Sequence, residues 1–310
     1  MKRKGFLYES IIEVNNLKLA DKNARLGKLK QYGVQKHILR EDENLKELNE
    51  LLQHRKYRTS DYSKFEIFEP KHRVIARLPY YPDRIMHWAI LLKTKEIFVN
   101  SFISNTYSGI KGRGVHKASY DLRKSLQDEE CNKYCLKLDV KKFYENIDHN
   151  ILKRLLRKKF KDRELLTIFD EIIDSNEIGL PLGSLISQYF ANFYLCYLDH
   201  YIKENLNVKY YFRYMDDLVI LSNNKKELHY ILSTIRLYLK TLGLEIKNTY
   251  QIFPVEKRGI DFVGYVHRKN YILIRKSIKE NYKKSKNKKD WNSWLIHSNS
   301  VNLKNKYENN

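Results

Sequence analysis

Residues 208–221, VKYYFRYMDDLVIL, constrain this chain more than any other segment. Two apolar, strand-forming stretches enclose a polar pair, Asp216-Asp217. Aromatic and β-branched residues at this density suit a pleated, half-buried ribbon. Two adjacent carboxylates do not, because a buried charge without a partner is strongly unfavourable. The segment therefore predicts two strands joined by a tight turn that presents both acids at the rim of a sheet. Such neighbours repel each other unless a cation neutralises them. Residues 134–140, YCLKLDV, predict a second strand. Tyr134, Leu136, Leu138 and Val140 share one face, and Cys135, Lys137 and Asp139 share the other. Asp139 then stands near the end of an apolar strand. Carboxylates so placed are what two-metal phosphoryl transfer demands, since acidic oxygens must hold two divalent ions about 3.5–4 Å apart. Mg²⁺ takes few protein carboxylates and keeps positions for phosphate and water.

The remaining patterns alternate between helix and strand. Residues 1–60 read as basic and helical, with Leu45, Leu48, Leu51 and Leu52 at helical spacing. Residues 63–78 predict a strand pair broken at Pro70, and a helix is expected from Asp83 to about Val99. A helix begins at Asn150, a long one is expected over 183–204, and an amphipathic one over 227–242. Strand-like runs recur near 258–266 and 270–275, and the basic tail 276–310 carries Trp291, Trp294 and Leu295. Without a regular βαβ beat, internal repeat or long Gly/Ser/Pro linker, the expectation is an α+β fold.

Composition narrows the partners. Among 310 residues, 59 Lys+Arg face 37 Asp+Glu, a formal net charge of +22. Such a chain attracts polyanions. No run approaches the roughly 18 apolar residues of a spanning helix, so nucleic acid is favoured over a membrane. The 24 Tyr residues, scattered among Lys and Arg, suit stacking on bases as well as half-buried packing. The basic start lacks the apolar core of a signal peptide. Cys131, Cys135 and Cys196 give no disulfide framework, and no His or Cys pair completes a metal site with the first two. Reduced structural thiols in a cytoplasmic protein are expected.

These segments resemble reverse transcriptases. Tyr214-Met215-Asp216-Asp217 is similar to the family's YMDD box, and residues 138–144, LDVKKFY, with Ile147-Asp148-His149, resemble its first-aspartate block, 77 residues upstream. The resemblance implies a right-hand fold of fingers, palm and thumb, with an antiparallel palm sheet backed by helices. Asp139, Asp216 and Asp217 would be catalytic, and with Val140 would hold two Mg²⁺ ions, for which Mn²⁺ can substitute. Residues 71–84 resemble the fingers segment that supplies cations to the incoming triphosphate; Arg73 is the first choice there, with Lys71 and Arg77 as alternatives. The run 108–114, SGIKGRG, is similar to the glycine-rich loop along the template, which implicates Gly109, Lys111 and Arg113. Phe143 and Tyr144 would lie at the nucleotide, where Tyr144 stands in the place of the sugar gate that rejects a 2′-hydroxyl. Lys247 matches a mobile lysine near the pyrophosphate. Phe262-Val263-Gly264 resembles the primer-grip hairpin, and Tyr214 and Met215 would also face template or primer.

One block separates subclasses. Residues 179–188 read GLPLGSLISQ, with Leu182-Gly183 where most members carry Gln-Gly, and Ser187-Gln188 where they carry Ser-Pro. This is similar to the enzymes of diversity-generating retroelements, as are residues 70–90 and 291–303. A leucine in place of a glutamine loses a hydrogen bond to the nucleotide, so Leu182, Gly183 and Gln188 join the nucleotide-binding set. Error-prone cDNA synthesis, mutagenic at template adenines, is the implied activity. Template RNA, cDNA, dNTPs and a small basic helical accessory protein are the implied partners. A phage-defence or retron-like bacterial enzyme is the alternative, and a non-catalytic RNA-binding scaffold a third. The expected organisation is fingers over 1–132 with an insert at about 150–182, palm over 133–149 and 183–266, and a small basic thumb over 267–310.

Overall fold

The computed structural model describes residues 3–68, 72–129, 132–300 and 302–303. In chain order the helices are α1 (Tyr8–Ile12), α2 (Val14–Ala24), α3 (Tyr32–Ile38), α4 (Glu41–Gln53), α5 (Ile85–Val99), α6 (Val115–Ser125), α7 (His149–Lys159), α8 (Arg163–Asp174), α9 (Leu185–Tyr194), α10 (Cys196–His200), α11 (Lys225–Thr241), α12 (Val255–Arg258), α13 (Lys276–Lys284) and α14 (Asn292–Ile296). The strands are β1 (Ser63–Ile67), β2 (Arg73–Arg77), β3 (Thr106–Tyr107), β4 (Tyr134–Asp139), β5 (Tyr210–Tyr214), β6 (Asp217–Ser222), β7 (Gln251–Pro254), β8 (Ile260–Phe262), β9 (Tyr265–His267) and β10 (Ile272–Ile274). The class is α+β. The chain forms two compact units, one of residues 1–102 and 142–195, the other of residues 103–141 and 196–310.

The first unit is mostly helical. Helix α5 buries Ile85, Met86, Ala89, Ile90, Leu91 and Phe98, with His87 and Thr94, over much of its circumference, as a central helix does. Phe98 meets Phe160, Phe169, Tyr189, Phe190 and Phe193 in an aromatic core, mostly in edge or tilted contacts. Asp148 caps α7 by accepting from the Ile151 amide at 2.8 Å, and Asp162 caps α8 from Leu165 at 3.2 Å. Strands β1 and β2 form the expected hairpin, with Phe65 opposite Ile75, and both strands are largely exposed. The expected helix over 183–204 is interrupted: α9 ends at Tyr194, α10 begins at Cys196, and a wider π turn spans Tyr201–Asn205.

The second unit is built on a five-stranded sheet in the order β3-β5-β6-β4-β7. The expectation of a wholly antiparallel sheet is corrected here, because β3 runs parallel to β5. Parallel neighbours need a long crossover, and the chain between Tyr107 and Tyr210 supplies one. One face packs on α6 through Ala118, Leu122, Cys135, Phe212, Val219 and Phe253. A separate antiparallel sheet, β10-β9-β8, packs Tyr265, Ile272 and Ile274 against Tyr282 and Leu295. Cys135 and Cys196 are buried and in no disulfide among the described residues, and Cys131 lies outside them. No helix among the described residues is long and apolar enough to cross a membrane.

Candidate active site

Strand register brings the acids together. Asp139 ends β4 directly opposite Asp217 at the start of β6, and Tyr214 pairs with Asp217 on the other side. Met215 and Asp216 are therefore the two loop residues of a tight hairpin. Met215 has φ 53°, a left-handed conformation that an unbranched side chain tolerates only with strain. The Val140 amide donates to the Asp216 carbonyl at 3.0 Å, which ties the turn to the end of β4. Val140 also bridges Ile246, and the Lys247 amide donates to the Asp139 carbonyl at 2.8 Å.

Two lysines answer the crowding of three carboxylates. Lys247 Nζ lies 2.9 Å from Asp139 Oδ1 and 3.9 Å from Asp216 Oδ2. Lys137 Nζ lies 3.6 Å from Asp217 Oδ2 and donates to the Asp261 carbonyl, while Arg275 Nε donates to the Asp261 carboxylate at 2.6 Å. Burial pushes the Asp217 carboxyl up to about 7, against the pull of Lys137, with Asp139 and Asp216 adding to the rise and Arg275 opposing it. Its Oδ1 is buried with no hydrogen-bond partner. Among the described residues, no group of three or more His, Cys, Asp and Glu gathers its donor atoms as around a bound ion. The carboxylates face ammonium groups instead. An orphaned carboxylate oxygen beside two further carboxylates is still a donor set that fits a hard divalent cation, which prefers oxygen ligands.

The other expected residues fall into the two units as follows. In the second unit, Gly109 and Lys111 are exposed on the loop before α6, and Arg113 Nη1 donates to the Ile103 carbonyl at 3.0 Å. Phe262 is buried, and Val263-Gly264 is a two-residue hairpin turn with φ 46° and 88° between paired Phe262 and Tyr265. A β-branched residue at positive φ is a genuine outlier, and Val263 packs against both apolar clusters of this unit.

In the first unit, Arg73 and Arg77 are exposed on β2, and Lys71 lies outside the described residues. The Ala76 amide donates to the Leu182 carbonyl at 2.9 Å, so Leu182-Gly183 lines the free edge of the hairpin. A side chain at Gly183, φ 112°, would press on the Ala76 carbonyl. Gln188 is half-buried on α9. Phe143 is buried against the ring of half-buried Tyr144. The Tyr144 carbonyl accepts from the Leu180 amide at 2.8 Å, and Gly179 sits so close that an added Cβ would stand 2.2 Å from it.

Sequence reasoning missed a buried charge behind the turn. Arg213, inside β5, is fully buried and forks onto equally buried Asp199 of α10, with Nε–Oδ1 at 2.7 Å and Nη2–Oδ2 at 2.5 Å. An arginine within an apolar strand signals a hidden partner, but nothing in the sequence points to Asp199.

The comparisons agree with this geometry. The family profile described as reverse transcriptase (RNA-dependent DNA polymerase) matches residues 63–267, about two thirds of the chain. The Retron Ec73 reverse transcriptase of Escherichia coli is 28% identical over 162 residues, covering 48% of this chain and 50% of that protein. A 91 kDa protein in the cob intron of Schizosaccharomyces pombe is 21% identical over 201 residues, 59% of this chain and 24% of that one. The chain thus spans half or less of these curated relatives. In fold it is similar to the telomerase of Candida albicans solved with a fragment of telomeric RNA, at a TM-score of 0.51 and 12% identity over 75% of this chain and 51% of that one. With the profile match covering both the Asp139 strand and the Asp216-Asp217 turn, the chain belongs to the reverse transcriptase family.

Proposed function

We propose that the protein is an RNA-directed DNA polymerase of the retron-like bacterial type, extending a primer on a template RNA. The observation that carries this reading is the meeting of Asp139, Asp216 and Asp217 at one end of β4, β5 and β6. These three, with the Val140 backbone beside them, would hold two Mg²⁺ ions. Such ions activate a 3′-hydroxyl and steady the triphosphate and its leaving group. The protein's own part is positional. The hairpin fixes the acids, Lys247 neutralises the gathered charge, and Lys137 restrains Asp217. Arg73 and Arg77, with Lys71, are the cations offered to the triphosphate, and Tyr144 with Phe143 the aromatic floor for the ribose. Gly109, Lys111 and Arg113 would follow the template, and Phe262, Val263 and Gly264, with Tyr214 and Met215, the primer end. In the right-hand scheme residues 133–149 and 183–266 would be the palm, residues 1–132 and about 150–182 the fingers, and 267–310 the thumb.

The retron relative favours the retron-like subclass over a diversity generator. The second reading rests on Leu182, which stands where most members carry a glutamine that disciplines nucleotide choice, and on Gln188, where they carry a proline. On that reading a small basic helical protein would assist synthesis. Both readings are tested together. Purified protein with primed RNA, dNTPs and Mg²⁺ extends the primer, and the Asp216→Ala, Asp217→Ala variant does not. Equal activity of that variant excludes the two-metal mechanism. Product sequencing then separates the subclasses: mutations concentrated opposite template adenines select the diversity generator, and faithful copies the retron-like enzyme.

A further inference from the structure

The Arg213–Asp199 pair is built more fully than packing requires. Tyr211 donates its hydroxyl to Asp199 Oδ1 at 2.6 Å, and Thr106 donates to Oδ2 at 3.1 Å. Thr106, Asp199, Tyr211 and Arg213 are all fully buried. Paired strand residues share a face, and Arg213 pairs with Leu218, one step from the Tyr214–Asp217 pair. The network therefore lies on the sheet face opposite Asp139 and Asp217 and does not use their space. A directed hydrogen bond connects it to the catalytic turn. The remaining guanidinium nitrogen, Nη1, donates to the Met215 carbonyl at 3.2 Å. That carbonyl belongs to the strained peptide leading into Asp216.

A buried ion pair is a weak way to stabilise a fold, and apolar residues of similar volume often do as well or better. What they cannot do is donate a hydrogen bond to the Met215 carbonyl. Arginine's rigid fork meets both tasks at once, gripping Asp199 with two nitrogens and the turn with the third. We propose that Arg213, clamped by Asp199, Tyr211 and Thr106, is a positioning residue that orients the Met215–Asp216 peptide and so sets how tightly the Asp216-Asp217 turn takes a divalent cation. The inference rests on the polymerase reading for its role in catalysis, but its effect on cation binding stands apart from turnover.

The test uses the full chain and two variants. Arg213→Lys keeps a charge opposite Asp199 but replaces the fork with one ammonium, which cannot serve both partners. The quartet Thr106→Val, Asp199→Leu, Tyr211→Phe, Arg213→Met removes every side-chain polar group of the network together and takes the Arg213 donor from the Met215 carbonyl. Mn²⁺ binding is followed by electron paramagnetic resonance, stability by urea midpoint, and primer extension across a Mg²⁺ series. The quartet is expected to keep the wild-type urea midpoint yet bind Mn²⁺ about 10-fold or more weakly, with a matching rise in the Mg²⁺ needed for half-maximal extension. Arg213→Lys moves both metal readouts in the same direction by a smaller factor. Unchanged Mn²⁺ affinity in the quartet overturns the proposal, whatever happens to its stability. Should the quartet not fold, Arg213→Lys decides alone, and wild-type Mn²⁺ affinity there overturns it equally. A wild type that binds Mn²⁺ but never extends a primer refutes the polymerase reading, while the resonance comparison still judges this one.

Discussion

Replacing Gly264 with alanine strikes the Val263-Gly264 turn in two separable ways. The residue sits at φ 88°, and an added Cβ would lie 2.5 Å from Ile278 Cδ1 and 2.6 Å from Trp294 Cζ3. The backbone part costs about 1–2 kcal/mol for an L-residue in the left-handed region. Overpacking a filled site adds about 1–3 kcal/mol. Gly264→Ala should therefore destabilise the second unit by about 2–5 kcal/mol, taking the two together. The Arg275 amide donates to the Gly264 carbonyl at 2.9 Å, so its hydrogen exchange reports on this turn directly. Trp294→Leu removes the ring that the methyl would strike, at a cavity cost of its own. The double variant should then cost less than the sum of the singles by about 1 kcal/mol, because the ring clash is relieved while the Ile278 contact and the φ cost are not. Additivity to within about 0.5 kcal/mol in the exchange-derived free energies would show that ring contact is not the source. A Gly264→Ala cost below about 1 kcal/mol would refute the turn geometry as well.

Other predictions concern different levers. His267 is buried, with Ser119 Oγ 2.8 Å from Nε2 and the Ile260 carbonyl 3.1 Å from Nδ1, and burial lowers its pKa to about 4. Between pH 6.5 and about 4 the unfolded chain binds the extra proton, so stability falls as pH falls through that window, by about 3 kcal/mol in full. Urea titrations of wild type and His267→Gln should diverge in pH slope there, and parallel slopes count against the assignment. Asp217 acts in the opposite sense in metal-free protein. Its raised pKa of about 7 means the folded state holds the extra proton, and stability falls as pH rises from the ordinary carboxylate range through 7. In EDTA at pH 8, Asp217→Asn should therefore be more stable than wild type by about 2–4 kcal/mol, while losing the gain in melting temperature that millimolar Mg²⁺ gives the wild type; a variant less stable than wild type would contradict the burial argument. Gly179→Ala should shift the Tyr144 backbone and weaken selection of dNTP over rNTP, read as the ratio of kcat/KM for the two, since its Cβ would overlap the Tyr144 carbonyl. An unchanged ratio would separate Tyr144 from sugar choice.

Much of the candidate site is legible along the chain because it depends on local alternation. The period of two in residues 134–140 puts Asp139 on the Lys137 face, and the apolar runs around Asp216-Asp217 leave a turn as the place for the acids. The hairpin of β1 and β2 follows from the same pattern. The helix over 183–204 fails as one piece because periodicity carries no mark of the break at Leu195, where α9 gives way to α10. Strand β7 escapes notice because four residues, QIFP, ending in proline make too short a run to alternate convincingly. The parallel pairing of β3 with β5 is invisible for another reason, since a two-residue strand has almost no pattern and its partner lies a hundred residues on.

By itself the sequence determined which groups the chemistry can use: acids at the ends of apolar strands, a surplus of cations, and glycines where the backbone must turn left-handed. These are properties of near neighbours, and a period of two or 3.6 expresses them. Tertiary structure decided how those groups are held. Asp199 finds Arg213, Lys247 finds Asp139, and Gly179 meets Tyr144 only when distant segments pack, because burial and register are set by the whole fold. A charged side chain shows its sign in the sequence, while its partner, its solvation and therefore its role come from what folds against it.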